Sequence, residues 1–298
     1  DRPPLAPVRT HSRHPGTHLL NYRHIYHAGN FADCMKHALL LALIKALKRK
    51  PAGFVVLDTH AGCGRYDLTS EEAEKTGEWR AGIGQLLGQP AAEPLADYLD
   101  AVRPNVQERH RYPGSPAFAR AELRPQDQLI ACELHPEDVR PLRRLFHADP
   151  QAAVHHRDGY EALRALLPPK GFKRGLVLID PPFEKPDDFA RCAEAIALIR
   201  TRFRAGIVAV WYPIKHRTPV RAFYTALQDA GIQDMLACEF LLRPPVDPSR
   251  LNGCGLLVVN APFGFEDDAR NILQALATGL RSPDAEDIQI NIERLAEG

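Results

Sequence analysis

The sequence predicts an α/β protein built on a mostly parallel sheet, and two observations carry that expectation. Short apolar runs of strand length alternate with amphipathic helical patterns along most of the chain. Acidic residues recur at the carboxyl ends of those runs, where open α/β sheets bind ligands. The strand-like segments are Phe54–Asp58, Leu129–Glu133, Ala153–Arg157, Leu176–Asp180, Ile207–Tyr212, Met235–Leu242 and Leu256–Asn260. The helical patterns between them cover Asp33–Lys48, Pro136–His147, Tyr160–Leu167, Asp187–Arg202 and Thr218–Ala230, with Asp33, Asp187 and Thr218 as expected N-caps. The sixth and seventh strands are joined by Arg243-Pro-Pro-Val-Asp-Pro-Ser-Arg-Leu-Asn-Gly. No crossover helix fits there, so that pair is expected to run antiparallel. From Asp58 to Glu133 the chain is too long for one βα unit. Residues 66–113 are therefore read as a small helical subdomain inserted after the first strand. A C-terminal helix is expected from about Gly264 to Leu280, and the last fifteen or so residues carry only a weak pattern.

Composition narrows the class. The chain has 298 residues, enough for a full core, and a formal charge of +1, so no global basic field is present. The first 50 residues nevertheless carry nine Lys/Arg against two acids and six of the thirteen His, a distribution suited to contact with phosphates. The six cysteines are scattered without a C-x-x-C pair, which argues against a zinc site or a disulfide scaffold and for a reducing cytoplasm. No apolar run reaches the ~18 residues of a membrane span. Residues 1–20 read as a flexible N-terminal extension.

Asp180-Pro181-Pro182-Phe183 is the most informative local feature. It closes the apolar run Gly175-Leu-Val-Leu-Ile179. Two prolines fix φ and leave carbonyls free to accept. A carboxylate, a carbonyl and an aromatic face at a strand end suit a planar group bearing an NH2. The amine would donate to Asp180 and the Pro181 carbonyl, and the ring would stack on Phe183. Asp58-Thr-His-Ala-Gly62-Cys-Gly64 supplies a turn that a ligand can approach closely, but it lacks the third glycine of a dinucleotide fingerprint, which argues against a nicotinamide-dependent dehydrogenase. Glu133 could accept from two ribose hydroxyls, and Asp158-Gly159 from an adenine amino group. Ser115-Pro116 reads as a helix start whose amides could meet a ligand carboxylate.

In this order the residues resemble the class I S-adenosylmethionine-dependent methyltransferases that act on amino groups, with their [D/N/S]-P-P-[Y/F/W] motif. More specifically, five strings resemble the bacterial 23S ribosomal RNA adenine-N6 methyltransferase family. They are Tyr22-Arg-His24-Ile-Tyr-His27-Ala-Gly-Asn30-Phe-Ala-Asp33-Cys-Met-Lys36-His37, Leu57-Asp-Thr-His60-Ala-Gly-Cys-Gly-Arg65-Tyr66, Tyr112-Pro-Gly-Ser115-Pro, Glu133-Leu-His135-Pro and Trp211-Tyr-Pro213. The resemblance runs from about residue 21 to about 263; Phe183 stands where Tyr is commoner. It implies a Rossmann-like class I methyltransferase fold: a seven-stranded mostly parallel sheet with an antiparallel last strand, and a small inserted helical subdomain. The core is then residues 21–65 and 114–298. It further implies that Asp180 is catalytic and that His37, His60, Ser115, Glu133, Asp158 and Gly159 surround S-adenosyl-L-methionine with Lys36 close by. Tyr22, His24, Pro181 and Phe183 would hold the base. The implied partner is 23S ribosomal RNA, with no metal and no membrane, and the protein is expected to be a monomer. DNA adenine-N6 or cytosine-N4 methylation is the nearest alternative, since Asp-Pro-Pro-Phe is shared across those activities. A non-catalytic RNA-binding protein is the alternative of another class.

Overall fold

A computed structural model describes residues 23–281 and 287–296 of the chain. In chain order the elements are α1 (Phe31–Lys48), β1 (Val55–Asp58), β2 (Arg65–Asp67), α2 (Glu71–Thr76), α3 (Gln85–Leu87), α4 (Ala96–Arg109), β3 (Arg111–Pro113), α5 (Ser115–Glu122), β4 (Gln128–Glu133) and α6 (Pro136–Leu145). They continue as β5 (Ala152–His156), α7 (Gly159–Leu166), β6 (Gly175–Ile179), α8 (Asp188–Arg202), β7 (Ile207–Ile214), α9 (Arg217–Asp229), β8 (Met235–Leu241), β9 (Gly253–Val259), α10 (Phe265–Gly279) and β10 (Gln289–Ala296).

The main sheet has eight strands in the order β10-β8-β9-β7-β6-β1-β4-β5. Pairings from β5 through β4, β1 and β6 to β7 are parallel. β9 runs antiparallel to both β7 and β8, as the short connection required. The fold class expected from the sequence therefore holds, with one strand more than the seven foreseen. The eighth, β10, pairs antiparallel with β8 from Gln289 to Ala296. Its Ile288-x-Ile290-x-Ile292 alternation is a strand signal, but it sits on the sheet edge and only part of it is covered.

β1 and β6 are buried along their whole length because helices cover both faces of the sheet. Neighbouring residues on each strand feed opposite layers. Val56, Leu176, Leu178 and Ala209 join the cluster under α1 and α10, whereas Leu57, Val177, Ile179, Val208 and Val210 join the one under α8 and α9. α1 is apolar almost all round and packs against α4, α5 and α10, as a helix without a solvent face must. Between β1 and β4, β2 and β3 form a two-stranded antiparallel ribbon from which α2, α3 and α4 extend. Ile83, Leu86, Tyr98, Leu99 and Val102 of this segment share one apolar cluster with α1 and α10, so the segment packs as part of the main core.

Three helix starts differ from expectation. Asn30, not Asp33, caps α1: its side chain accepts from Asp33 N at 3.0 Å, which frees the Asp33 carboxylate for other partners. His216, not Thr218, caps α9 by accepting from Thr218 N at 3.2 Å. Gly114 holds the cap position of α5 and Ser115 is already helical, so the Ser115 hydroxyl is used elsewhere. Asp187 does occupy the cap position of α8, but its side chain makes no capping bond.

Candidate active site

The sheet order turns four separate strand ends into one row. Asp158, Glu133, Asp58 and Asp180 stand at or just past the carboxyl ends of β5, β4, β1 and β6, which are consecutive neighbours in the sheet. Adjacent strands lie about 4.8 Å apart, so four carboxylates from a span of over 120 residues stand side by side; Glu133, Asp158 and Asp180 line one cleft, with Asp58 buried behind its wall. His24, Lys36, His37, His60, Ser115, Glu133, Asp158, Gly159, Asp180 and Pro181 all line that cleft. Tyr22 lies outside the described residues. Phe183 is not in the cleft wall. Its backbone turns into the left-handed region (φ 50°), and its ring packs 4.9 Å from Phe189 and 5.9 Å from Trp211. The stacking face expected from the sequence therefore points into the neighbouring aromatic cluster here.

The turn after β1 is drawn tightly around the cleft. Gly62 (φ 61°) donates its N–H to Glu133 Oε2 at 2.7 Å, and a Cβ there would lie 2.2 Å from the Tyr66 hydroxyl. The other Glu133 oxygen accepts from His135 N at 2.6 Å. Burial raises the Glu133 carboxyl despite these bonds. Each oxygen keeps a second lone pair for a ligand hydroxyl. Asp158 caps α7 through Tyr160 N (2.8 Å) and Glu161 N (3.2 Å), and its other oxygen meets Arg191 at 3.3 Å. The Arg191 guanidinium lies over the Tyr160 ring, 4.2 Å from its centroid. Gly159 passes directly beneath Thr59: a Cβ would sit 2.2 Å from the Thr59 carbonyl oxygen.

Asp58, the acid that closes β1 and opens the glycine turn, also braces the cleft wall from behind. It is 1% exposed and accepts from Ser115 Oγ (2.6 Å) and His60 N (3.2 Å). Burial pushes its carboxyl up to about 7, against the pull of the Ser115 bond. Burial moves the histidines the other way. His60, held by Thr59 Oγ1 at 2.7 Å, falls to about 4, and His37, held by the Tyr112 hydroxyl at 2.7 Å, falls well below its usual value. Both imidazoles are therefore neutral near pH 7 and add no positive charge to the cleft.

Over Asp180 lies an ion-pair chain that local pattern reading did not foresee. Lys36 Nζ is 2.6 Å from Asp180 Oδ2 and 3.0 Å from Asp33 Oδ1. Asp33 Oδ2 accepts from Gly29 N at 2.9 Å and lies 2.8 Å from His24 Nε2. Burial alone would discharge Lys36, but the two carboxylates outweigh it and raise its pKa. Asp33 is likewise held well below the usual carboxylate range: burial opposes, and His24 and Lys36 prevail. Among the described residues no His/Cys/Asp/Glu group is arranged to hold a metal ion, and no helix is long and apolar enough to cross a membrane.

The geometry is thus a class I cleft whose acids follow one another along the sheet. The profile of the family described as ribosomal RNA large subunit methyltransferase D, RlmJ, matches residues 51–289. The chain belongs to this methyltransferase family. It is 40% identical over 266 residues to the ribosomal RNA large subunit methyltransferase J of Haemophilus influenzae, covering 88% of this chain and 94% of that one. With the protein of the same name from Escherichia coli it shares 41% identity over 268 residues, at the same coverage. A crystal structure of a Legionella pneumophila protein superposes with a TM-score of 0.80 at 32% identity, over 90% of this chain and 98% of that one. Family membership makes the chain a methyltransferase.

The residues present suit a methyl donor that carries positive charge. Glu133, Asp138, Asp158, Asp180, Glu184 and Asp188 line the cleft against Lys36, Lys185 and Arg191, and its His37 and His60 are neutral.

Proposed function

We propose that the protein transfers a methyl group from S-adenosyl-L-methionine to the exocyclic N6 amine of an adenine in 23S ribosomal RNA. It does so as a cytoplasmic monomer acting on a base turned out of its stack. The observation that carries this reading is Asp180. It directly follows β6 and lines the cleft, its side chain 15% exposed, with Oδ2 engaged by Lys36 and Oδ1 without a hydrogen-bond partner among the described residues.

When bound, S-adenosylmethionine supplies an electrophilic methyl on a sulfonium sulfur, which would keep the S–CH3 bonding pair and leave as the neutral thioether of S-adenosyl-L-homocysteine. Glu133 would accept from its ribose hydroxyls, and Asp158 with Gly159 would meet its adenine. His37, His60 and Ser115 close the remaining wall, and Lys36 lies nearby. Asp180 Oδ1 and the Pro181 carbonyl accept the two N6 hydrogens and orient the nitrogen lone pair, which is otherwise delocalised into the ring. Holding two reactants within about 3–3.5 Å accounts for a large part of the acceleration. The methylated nitrogen is cationic and strongly acidic, so a carboxylate suffices to take its proton. Asp180 also stabilises that charge as it develops. Turning the base out costs a few kcal/mol, least in a loop or bulge. Tyr22 and His24 offset this cost. Phe183 does so too once its ring turns from Phe189 and Trp211 toward the cleft.

The test is methyl transfer from labelled S-adenosylmethionine to deproteinised ribosomal RNA, 50S particles and DNA, each digested to nucleosides. Label in N6-methyladenosine from ribosomal RNA is expected. Label only in DNA, or in N4-methylcytosine, would overturn the reading, and absence of transfer would favour a non-catalytic RNA binder. Asp180→Ala is expected to lower turnover by about 10²–10³ or more while cofactor affinity by calorimetry stays within a few-fold.

A further inference from the structure

Lys36 is one ammonium shared by two carboxylates, and only one of them is free to react. Asp33 and Lys36 lie one turn apart on α1, whereas Asp180 belongs to the sheet. The Asp33 side chain is 2% exposed and that of Lys36 6%. Asp33 cannot follow the lysine, because its Oδ2 is fixed by the Gly29 amide and His24. Lys36 Nζ is therefore held to one side, on Asp180 Oδ2 alone. Without the second carboxylate, the most favourable position for a buried ammonium is between both oxygens of Asp180. That position would cover Oδ1.

We propose that Asp33 is a positioning residue for methyl transfer: it anchors the Lys36 ammonium against Asp180 Oδ2, so that Oδ1 stays open to the substrate amine. This rests on the reading of Asp180 as the acceptor. Asp33 touches neither the cofactor nor the base in this account; it acts through Lys36.

A double-mutant cycle on the full chain tests it, with ribosomal RNA as substrate. Asp33→Asn keeps the shape of the side chain and one oxygen that still faces both the Gly29 amide and His24 Nε2, so the contact that holds His24 is retained. It is expected to lower kcat at least tenfold, with KM for RNA and Kd for S-adenosylmethionine within about twofold. In a Lys36→Met background the same substitution should change kcat less than twofold, because no ammonium remains to be misdirected. A loss of equal size in both backgrounds would mean that Asp33 only supports the fold, and would overturn the proposal. So would full activity of Asp33→Asn. Lys36→Arg gives an independent reading: its planar fork reaches both oxygens of a carboxylate, so kcat should fall although the charge is kept. A fully active Lys36→Arg enzyme would count against the idea even if Asp33→Asn fails to fold. Assays run well below the melting temperature of the least stable variant. If the unaltered protein methylates no ribosomal RNA, it is the reading of Asp180 that fails, a result distinct from an active enzyme without coupling.

Discussion

Replacing Gly159 by alanine adds one methyl group at the point where α7 starts beneath β1. An ideal Cβ there falls 2.2 Å from the Thr59 carbonyl oxygen, 2.7 Å from its Cβ and 2.8 Å from its carbonyl carbon. Normal contact needs at least about a further 1 Å, and the obstacle is backbone, so no rotamer change relieves it. Thr59 cannot easily retreat, since its N–H and its hydroxyl both donate to the Leu178 carbonyl, at 3.0 and 2.9 Å. Nor can α7 shift freely, because Asp158 caps its first turn. Overpacking of this kind costs about 1–3 kcal/mol. In a chain of this size that corresponds to a fall in Tm of roughly 2–4 °C per kcal/mol. The displaced Asp158–Gly159 corner should also weaken S-adenosylmethionine binding about tenfold or more. Differential scanning fluorimetry and calorimetry read the two effects. Gly231→Ala is the control: it has a left-handed φ of 70° but nothing within 4 Å, so only conformational strain of about 1–2 kcal/mol applies and cofactor affinity should not change. If Gly159→Ala melts with the unaltered protein and binds cofactor equally well, the close packing of α7 against the β1 turn is not what shapes this end of the cleft.

Asp58 predicts a pH effect. Its folded pKa of about 7 lies above the usual value near 3.9, so its contribution to stability is complete below about pH 4 and is lost as pH rises through 7. Three units correspond to a limit of about 4 kcal/mol. Tm of Asp58→Asn relative to the unaltered protein should rise between pH 5 and 8; a difference that stays flat would refute the burial argument. Glu239, fully buried in β8, is held by Arg217 (2.6 Å), Tyr224 (2.7 Å) and Asn291 (3.2 Å). Arg217→Met leaves that carboxylate without its cation and should cost about 3 kcal/mol in urea unfolding, while Arg217→Met with Glu239→Gln should recover much of it. Asn30→Ala removes the α1 cap and should cost about 1 kcal/mol by the same measurement; no change would mean that water replaces the cap.

Local pattern was enough for the sheet and for most of the cleft. Val55–Asp58 and Gly175–Ile179 are continuous apolar runs because parallel strands under two helical layers have no solvent face. The acids behind them mark the ligand end because helices leave the carboxyl ends of the strands open. What the pattern could not carry was pairing at a distance. Lys36 and Asp180 are 144 residues apart and meet only because α1 crosses the end of β6. Asp33 looked like a helix cap because its type and position fit one, yet Asn30 does that work and the Asp33 carboxylate turns inward to Lys36. Phe183 showed an aromatic face in the sequence, but its direction depends on a left-handed turn and on Phe189 and Trp211. β10 is an edge strand whose existence depends on finding β8 already formed beside it. The amino-acid order by itself thus determined the element types, the strand-end acids and the Asp-Pro-Pro-Phe turn, all set by interactions within a few residues. The tertiary structure alone decided which carboxylates share an ammonium and which oxygen of Asp180 Lys36 engages. Those outcomes depend on electrostatic contacts between buried groups that only the packed helices and sheet bring together.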